Sequence, residues 1–351
     1  MKRRVRNLSV TAALAGLLLA SCVRERPAEL PAAPQPYGTI RIAAAPVELD
    51  ASNPGPRRLG ALTFLWGARL TSPTTSRFTD LSGLEVRADG DALQFLAVTD
   101  SGDLMRWQAP AAGAGRFATV DAEFAALRGL DGVVLPNKAA ADSEDLSLDD
   151  DGLFVAFEGD HRVWRYAPLG GPLPALRPTP APAWPRVRMR PNRGFEAMSV
   201  LRRADGDRLA VGAEDGRAWL CPLREAGDCR PLLTGREIPG YALTGFDQLD
   251  GTEDLVAVYR AYDVFGGMRS IVARVSTSPD AAGRPHVTEL ARIERPLAHA
   301  NFEAVAALPN GRGGWTLWLV SDNGFPPDSP ALLFAFDYTP EGASGSDAPV
   351  R

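Results

Sequence analysis

Residues 301–311 read NFEAVAALPNG, and residues 192–206 read NRGFEAMSVLRRADG. In each, Asn stands shortly before Phe-Glu-Ala, small and apolar residues follow, and an Asn-Gly or Asp-Gly dipeptide closes the phrase. Looser versions recur along the chain, and the five acids that open them are Glu85, Glu144, Glu196, Asp247 and Glu303. They are spaced roughly 50–60 residues apart. The turn dipeptides are Asp89-Gly90, Asp151-Gly152, Asp205-Gly206, Asp250-Gly251 and Asn310-Gly311. A second apolar stretch follows each turn and ends on a polar residue: Asp100, Glu158, Glu214, Arg260 and Asp322 in chain order. Asn192, Asn301 and Asn323 stand beside these positions. Carboxylate and amide oxygens are hard ligands, and gathered together they suit Ca²⁺, with Mg²⁺ or Mn²⁺ as lesser fits. Taken singly, each acid could instead cap its own turn or pair with a local arginine such as Arg162, Arg193 or Arg269. Turn chemistry alone does not demand an acid at the same phase in every unit.

The elements that must position them are short strands. LQFLAVTD, RLAVGAEDGRAWLC, DLVAVYRAYD and WTLWLVSDNG alternate as half-buried strands do and are bounded by Gly, Asp and Asn. Helical periodicity is scarce, with DAEFAALRGL (121–130) the one candidate for a short helix. Several strands per unit at one period through the chain predict an all-β fold, a β-propeller. In a hairpin the start of the first strand and the end of the second lie at the same end of the sheet. With the first strands lining a central channel, both sets of polar residues would then meet at one mouth. Five units are counted. Residues 39–46 and 61–70 either complete the last blade or contribute to a sixth. Residues 168–191, rich in proline, read as a long inter-unit loop.

Other chemistry is weakly supported. No G-x-S-x-G nucleophile elbow occurs, and Ser82 and Ser101, near the expected rim, have no evident His partner. His161 beside Glu158 reads either as a general base or, by preference, as a solvent-facing strand end. With His161, His286 and His299 the only histidines, a His-rich zinc site is excluded. SLDDDGLFVAFE (147–158) approximates a calcium-binding helix–loop–helix loop, but LFVAFE alternates as a strand, so Asp151-Gly152 reads as a hairpin turn. Cys221 and Cys229 in CPLREAGDC favour a disulfide across a hairpin.

The N-terminus carries an address. MKRRVRN is basic, LSVTAALAGLLLA is apolar and too short to span a bilayer, and Leu19-Ala20-Ser21-Cys22 follows. This resembles the bacterial lipobox, implying cleavage after residue 21 and acylation of Cys22. Residues 22–37 form a Pro-rich tether, residues 38–339 the propeller, and residues 340–351 a disordered tail. Val23, rather than Asp, after the acylated Cys favours the periplasmic face of the outer membrane. The formal charge of −5 on 351 residues argues against a nucleic-acid partner. The expected partners are a small-molecule substrate or ligand at the mouth and a membrane through the anchor, for a monomeric chain.

LSGLEV, LAVTDSGDLMRW, DSEDLSLDDDGLFVAFEGDHRVWRY, NRGFEAMSVL and NFEAVAALPNG resemble successive motifs of the phytase-like family, described as having esterase-like activity. The likeness spans about residues 78–338. It implies a link to β-propeller phytases, in which calcium held by acidic residues binds phosphate and activates water. The chain departs from true phytases in lacking a Lys/Arg-rich phosphate cradle, which argues against phytate. The expected activity is metal-dependent hydrolysis of ester or phosphoester bonds. In that scheme Glu144, Glu196, Glu303, Asp322, Asn192 and Asn301 hold the ion, Glu158 joins them, and Arg162 or Arg260 neutralises an anionic transition state. The alternatives are a lactonase-like metal hydrolase and a non-catalytic binding propeller.

Overall fold

The computed structural model describes residues 37–189, 193–278, 286–324 and 329–340. The leader with Cys22, the tether, the tail and Asn192 lie outside the described residues. Three strands precede the repeats: β1 (Tyr37–Pro46), β2 (Arg57–Leu59) and β3 (Leu62–Thr71). Five four-stranded antiparallel units then follow, the last completed by β3.

Unit 1 is β4 (Leu81–Asp89), β5 (Ala92–Thr99), β6 (Asp103–Pro110) and β7 (Thr119–Ala126). The helical turn α1 (Lys138–Ala141) leads into unit 2: β8 (Ser143–Leu148), β9 (Leu153–Phe157), β10 (Arg162–Ala167) and β11 (Arg177–Pro180). Unit 3 comprises β12 (Phe195–Leu201), β13 (Arg208–Ala213), β14 (Arg217–Pro222) and β15 (Arg230–Thr234). Unit 4 has β16 (Ala242–Gln248), β17 (Leu255–Asp263), β18 (Gly267–Ser276) and β19 (His286–Ile293). Unit 5 has β20 (Asn301–Pro309), β21 (Trp315–Asp322) and β22 (Leu332–Tyr338), with β3 hydrogen-bonded to β22 as its outer strand.

The first strands β4, β8, β12, β16 and β20 neighbour one another in a closed cycle, as a propeller requires. They are the most deeply buried strands: β12, FEAMSVL, has no residue even half-exposed. Apolar side chains fill the spaces between consecutive sheets. Phe157 and Tyr166 of unit 2 meet Leu96 and Val98 of unit 1, while Phe302 and Phe334 of unit 5 meet Val256 and Val258 of unit 4. The ring is held shut by β1, which pairs with both β3 and β7 and makes the sheets of units 5 and 1 continuous. Such closure leaves no long unpaired edge at the seam. Residues 39–46 and 61–70 therefore go to the seam and to the last unit.

Two local expectations are corrected. Residues 119–126 form strand β7, not part of a helix, because Ala122, Phe124 and Ala126 face the interior while β1 and β6 flank the backbone on both sides. The Pro-rich segment is not wholly loop, since Arg177–Pro180 is the outer strand of unit 2. The turn dipeptides all fall between the first and second strands. Gly90, Gly206, Gly251 and Gly311 have φ from 61° to 107°, which only glycine adopts cheaply. Residues 147–158 are the β8–β9 hairpin, with no flanking helix. Cys221 on β14 and Cys229 before β15 are joined by a disulfide. Among the described residues no helix is long and apolar enough to cross a membrane.

Candidate metal centre at the channel mouth

Each first strand carries a β-bulge at its start, and the bulged residue is the one that repeats. The register slips between Leu81 and Gly83, Ser143 and Asp145, Phe195 and Ala197, Leu243 and Gly245, and Phe302 and Ala304. The extra residues are Ser82, Glu144, Glu196, Thr244 and Glu303. A bulge re-aims a side chain away from the regular face. Directly after it comes a small residue in four of the five units. At Gly83 a Cβ would sit 2.9 Å from Asp145 Cα, and at Gly245 one would sit 2.8 Å from the Glu303 carbonyl oxygen. The inner strands approach too closely there for larger residues.

Glu144, Glu196 and Glu303 thus share a phase, whereas Glu85 and Asp247 do not. Those two stand three residues past their bulges and belong to the channel interior. Glu85 Oε1 accepts hydrogen bonds from Ser147 Oγ (2.8 Å) and Leu148 N (3.1 Å). Asp247 accepts from Gln248 N (2.7 Å), Ala307 N (2.6 Å) and Ser199 Oγ (3.3 Å). Aligning on acidity alone concealed the slip, because Ser82 and Thr244 hold the true equivalent positions. Their hydroxyls donate to the carbonyls of Ser143 (2.6 Å) and Phe302 (3.2 Å) in the next unit.

The polar residues of the second strands align in every unit, although β17 runs on past Arg260 to Asp263. Asp100 N donates to Asp80 O, Glu158 N to Asp142 O and Glu214 N to Gly194 O, while Arg260 pairs with Ala242 and Asp322 with Asn301. This register also brings in residues that the acidic phrase missed: Asp80 and Asp142, each two before its bulge, where unit 5 has Asn301. Carboxylate oxygens of Asp142, Glu144 and Glu158 all lie within 4.8 Å of one another. A signal for Asp142 existed in the spacing Asp-x-Ser/Glu shared by 80–82 and 142–144, once the bulge rather than the acid is the anchor.

The mouth has two differently compensated sides. On one, Lys138 of α1 binds Asp100 Oδ2 (2.5 Å) and Asp142 Oδ1 (2.9 Å). Glu158 Oε1 accepts from Gly194 N (2.9 Å). Among the described residues no hydrogen bond reaches the carboxylate of Glu144 or Glu196. Burial, then the neighbouring charges of Glu196, Asp142 and Glu158, hold the Glu144 carboxyl well above its usual range. Glu196 is raised likewise by burial and then by Glu303, and Asp100 is pushed up to about 7, chiefly by burial. On the other side, Asn301 Nδ2 donates to Glu303 Oε1 (2.5 Å) and Asp322 Oδ2 (3.1 Å). Arg260 lies 3.2 Å from Glu303 and 3.6 Å from Glu214, and Arg193 lies 3.8 Å from Glu214. Asn323 Oδ1 accepts from Asp80 N (2.8 Å).

Arg162 is not part of this assembly. Its guanidinium donates to the carbonyls of Asp160 and Ala140 and lies over the Phe157 and Trp164 rings. It holds α1 against unit 2 and is not available to an anionic reacting group. His161 packs edge-to-face on Phe195, with Nδ1 buried and unbonded. A cavity of about 570 Å³ bordered by Trp66, Leu93 and Trp318 sits at the hairpin-turn end, away from these carboxylates.

These residues fit a hard divalent cation. Like-charged carboxylates without donors raise one another's proton affinity, and a positive ion relieves the repulsion. Asp142, Glu144 and Glu158 supply oxygen ligands only, with Glu196 adjacent, which is the donor set of Ca²⁺, Mg²⁺ or Mn²⁺.

Among solved structures, the chain is similar to the catalytic domain of a GH62 α-L-arabinofuranosidase from Coprinopsis cinerea. Identity is 13%, coverage 86% of this chain and 98% of that one, and the TM-score 0.47. A thermostable family-43 glycoside hydrolase matches at 13% identity, with 78% and 96% coverage and a TM-score of 0.46. The PQQ-bound aldose sugar dehydrogenase of Streptomyces coelicolor matches at 13% identity, with 80% and 100% coverage and a TM-score of 0.39. No curated protein matches the chain. The family model described as phytase-like, esterase-like activity of phytase, matches residues 76–325, from the segment before β4 to the segment after β21, and the chain belongs to that family.

Proposed function

We propose that the protein is a divalent-metal-dependent hydrolase of ester or phosphoester bonds, with Ca²⁺ as its ion. The observation that carries this reading is the convergence of Asp142, Glu144 and Glu158 at the mouth, with Glu144 lacking any hydrogen-bond donor among the described residues. Flexible all-oxygen ligation by several carboxylates favours calcium over the stricter octahedron of magnesium. When bound, such an ion supplies Lewis acidity toward a carbonyl or phosphoryl oxygen and makes water a better nucleophile. Asp142, Glu144 and Glu158 hold it, Glu158 oriented through Gly194 N. Glu196 stands outside the close trio, with burial and the charge of Glu303 raising its proton affinity, and is the neighbouring carboxyl available for proton transfer. Lys138 limits the charge at Asp100 and Asp142.

The test is elemental analysis of the purified protein, followed by assays on phosphoesters, carboxylic esters and lactones with and without chelator. Chelation is expected to abolish turnover and calcium to restore it. Glu144→Gln is expected to lower turnover at least about 100-fold while the fold persists, as loss of a metal ligand or its support does. Turnover that survives chelation overturns the proposal. A bound ion that only raises the melting temperature makes the protein a binding propeller, and turnover confined to lactones makes it lactonase-like.

The lipobox-like leader supports a place for this activity in the cell envelope, through acylation of Cys22 and a propeller held on the periplasmic face of the outer membrane. Radiolabelled fatty acid should enter the wild-type protein and not Cys22→Ala; equal labelling of both rules out the anchor.

A further inference from the structure

Position by position around the mouth, the fourth unit is the exception. Units 1, 2, 3 and 5 carry Asp100, Glu158, Glu214 and Asp322 at the second-strand position opposite the residue two before the bulge; unit 4 carries Arg260 there. Its bulge residue is Thr244, whose hydroxyl is spent on the Phe302 carbonyl, and Ala242 stands where units 1, 2 and 5 carry an oxygen donor. This unit has therefore exchanged its ligands for a cation.

That cation sits between two acids. Arg260 Nε is 3.2 Å from Glu303 Oε2 and Nη2 is 3.6 Å from Glu214 Oε1, so the guanidinium links units 3 and 5 across unit 4. Two oxygens beside it are short of partners. Asn301, 2% exposed, has Nδ2 committed to Glu303 and Asp322 while its Oδ1 accepts nothing among the described residues. Glu303, 9% exposed, faces Arg260 through an oxygen that lies at ion-pair distance but without hydrogen-bond alignment. Carboxylates from two units and a free amide oxygen are what a hard divalent ion takes. Here a guanidinium fills the middle. Without that guanidinium the buried carboxylates here must either be protonated or take another cation.

We infer that Arg260 is a resident cation standing in for a second divalent ion. The mouth accordingly takes one ion, on the Asp142–Glu144–Glu158 side. The Glu214–Asn301–Glu303 side accepts one only when Arg260 is removed. The first half of this statement rests on the proposed metal reading; the second does not. Arg260 is then a positioning residue, which holds Glu303 and Glu214 at a fixed separation and keeps a second ion out.

Calcium titration calorimetry with elemental analysis, on the full chain, reads the stoichiometry directly. Wild type is expected to bind one ion, Arg260→Gln two, and Arg260→Gln combined with Glu303→Gln one again. Arg260→Lys, which keeps the charge, should stay at one. Two ions in the wild type, or one ion in wild type and Arg260→Gln alike, overturns the inference while leaving the hydrolase reading intact. No ion in the wild type but one in Arg260→Gln sustains the role of Arg260 and removes the hydrolase reading. No ion in either overturns both. If Arg260→Gln is unfolded without calcium, its refolding on addition of calcium, followed by circular dichroism, supports the inference. Failure to refold at any calcium concentration overturns it.

Discussion

Glu144 and Asp145 are consecutive residues of one inner strand, and their surroundings are opposite. Asp145, 2% exposed, accepts from Leu146 N (2.8 Å) through one oxygen and from Met198 N (2.7 Å) of the next unit through the other. Glu144, on the bulge, receives no hydrogen bond among the described residues, and the charges that raise its proton affinity are other carboxylates. The same contrast holds for the channel as a whole. Glu85 and Asp247, like Asp145, bridge to neighbouring inner strands and satisfy backbone N–H groups that the ring geometry leaves without strand partners. At the mouth, Glu144 and Glu196 receive no donor among the described residues. Burial raises the proton affinity of both groups, so elevated pKa alone does not separate latch from site; the partners do.

The comparison breaks most visibly at Asp145. Asp145→Ala strands two buried backbone N–H groups, at about 1–3 kcal/mol each, and should cost roughly 2–6 kcal/mol in a denaturant titration. Ion binding at the mouth should survive it. If Asp145→Ala abolishes calcium binding at full stability, the two layers are not distinct.

A smaller effect is expected with pH. Glu303 is raised from the ordinary 4.5 to about 7, and Glu144 and Glu196 are raised as well. Their native forms hold protons that the unfolded chain has already released. Calcium-free stability should therefore be fullest below pH about 4.5 and should fall as pH rises toward about 7. Saturating calcium, which keeps the mouth ionised, should flatten or reverse that slope. Glu85, also raised to about 7 but in the inner layer, should leave a residual slope that calcium does not remove. Melting temperatures across this range with and without calcium measure both parts. A slope indifferent to calcium contradicts an ion site at the mouth.

Smallest is the effect of Glu144→Gln on the calcium-free protein. Removing a carboxyl whose proton affinity is raised on folding should stabilise it slightly, a gain seen near neutral pH and absent near pH 4, where the acid is protonated in folded and unfolded chains alike. A loss of stability instead would mean that Glu144, like Asp145, is a latch.

Much of this was legible in the chain itself. The period, the alternation within strands, the turn dipeptides and the second-strand ends Asp100, Glu158, Glu214, Arg260 and Asp322 are local features. Local chemistry writes them: a hairpin needs its Gly and its alternation wherever it folds. Glu144, Glu196 and Glu303 were found in the same way, because Phe-Glu-Ala or Ser-Glu-Asp marks the bulge. What only the tertiary structure decided is which acids act together. The three-residue slip of Glu85 and Asp247 leaves no local trace. The donors that claim them, from Ser147 and Leu148 for one and Ala307 and Ser199 for the other, stand 48 to 63 residues away and meet them only when the ring closes. Asp142 entered, and Arg162 left, for the same reason: a carboxylate or guanidinium takes its role from the groups that reach it, and in a propeller many of those belong to the neighbouring blade.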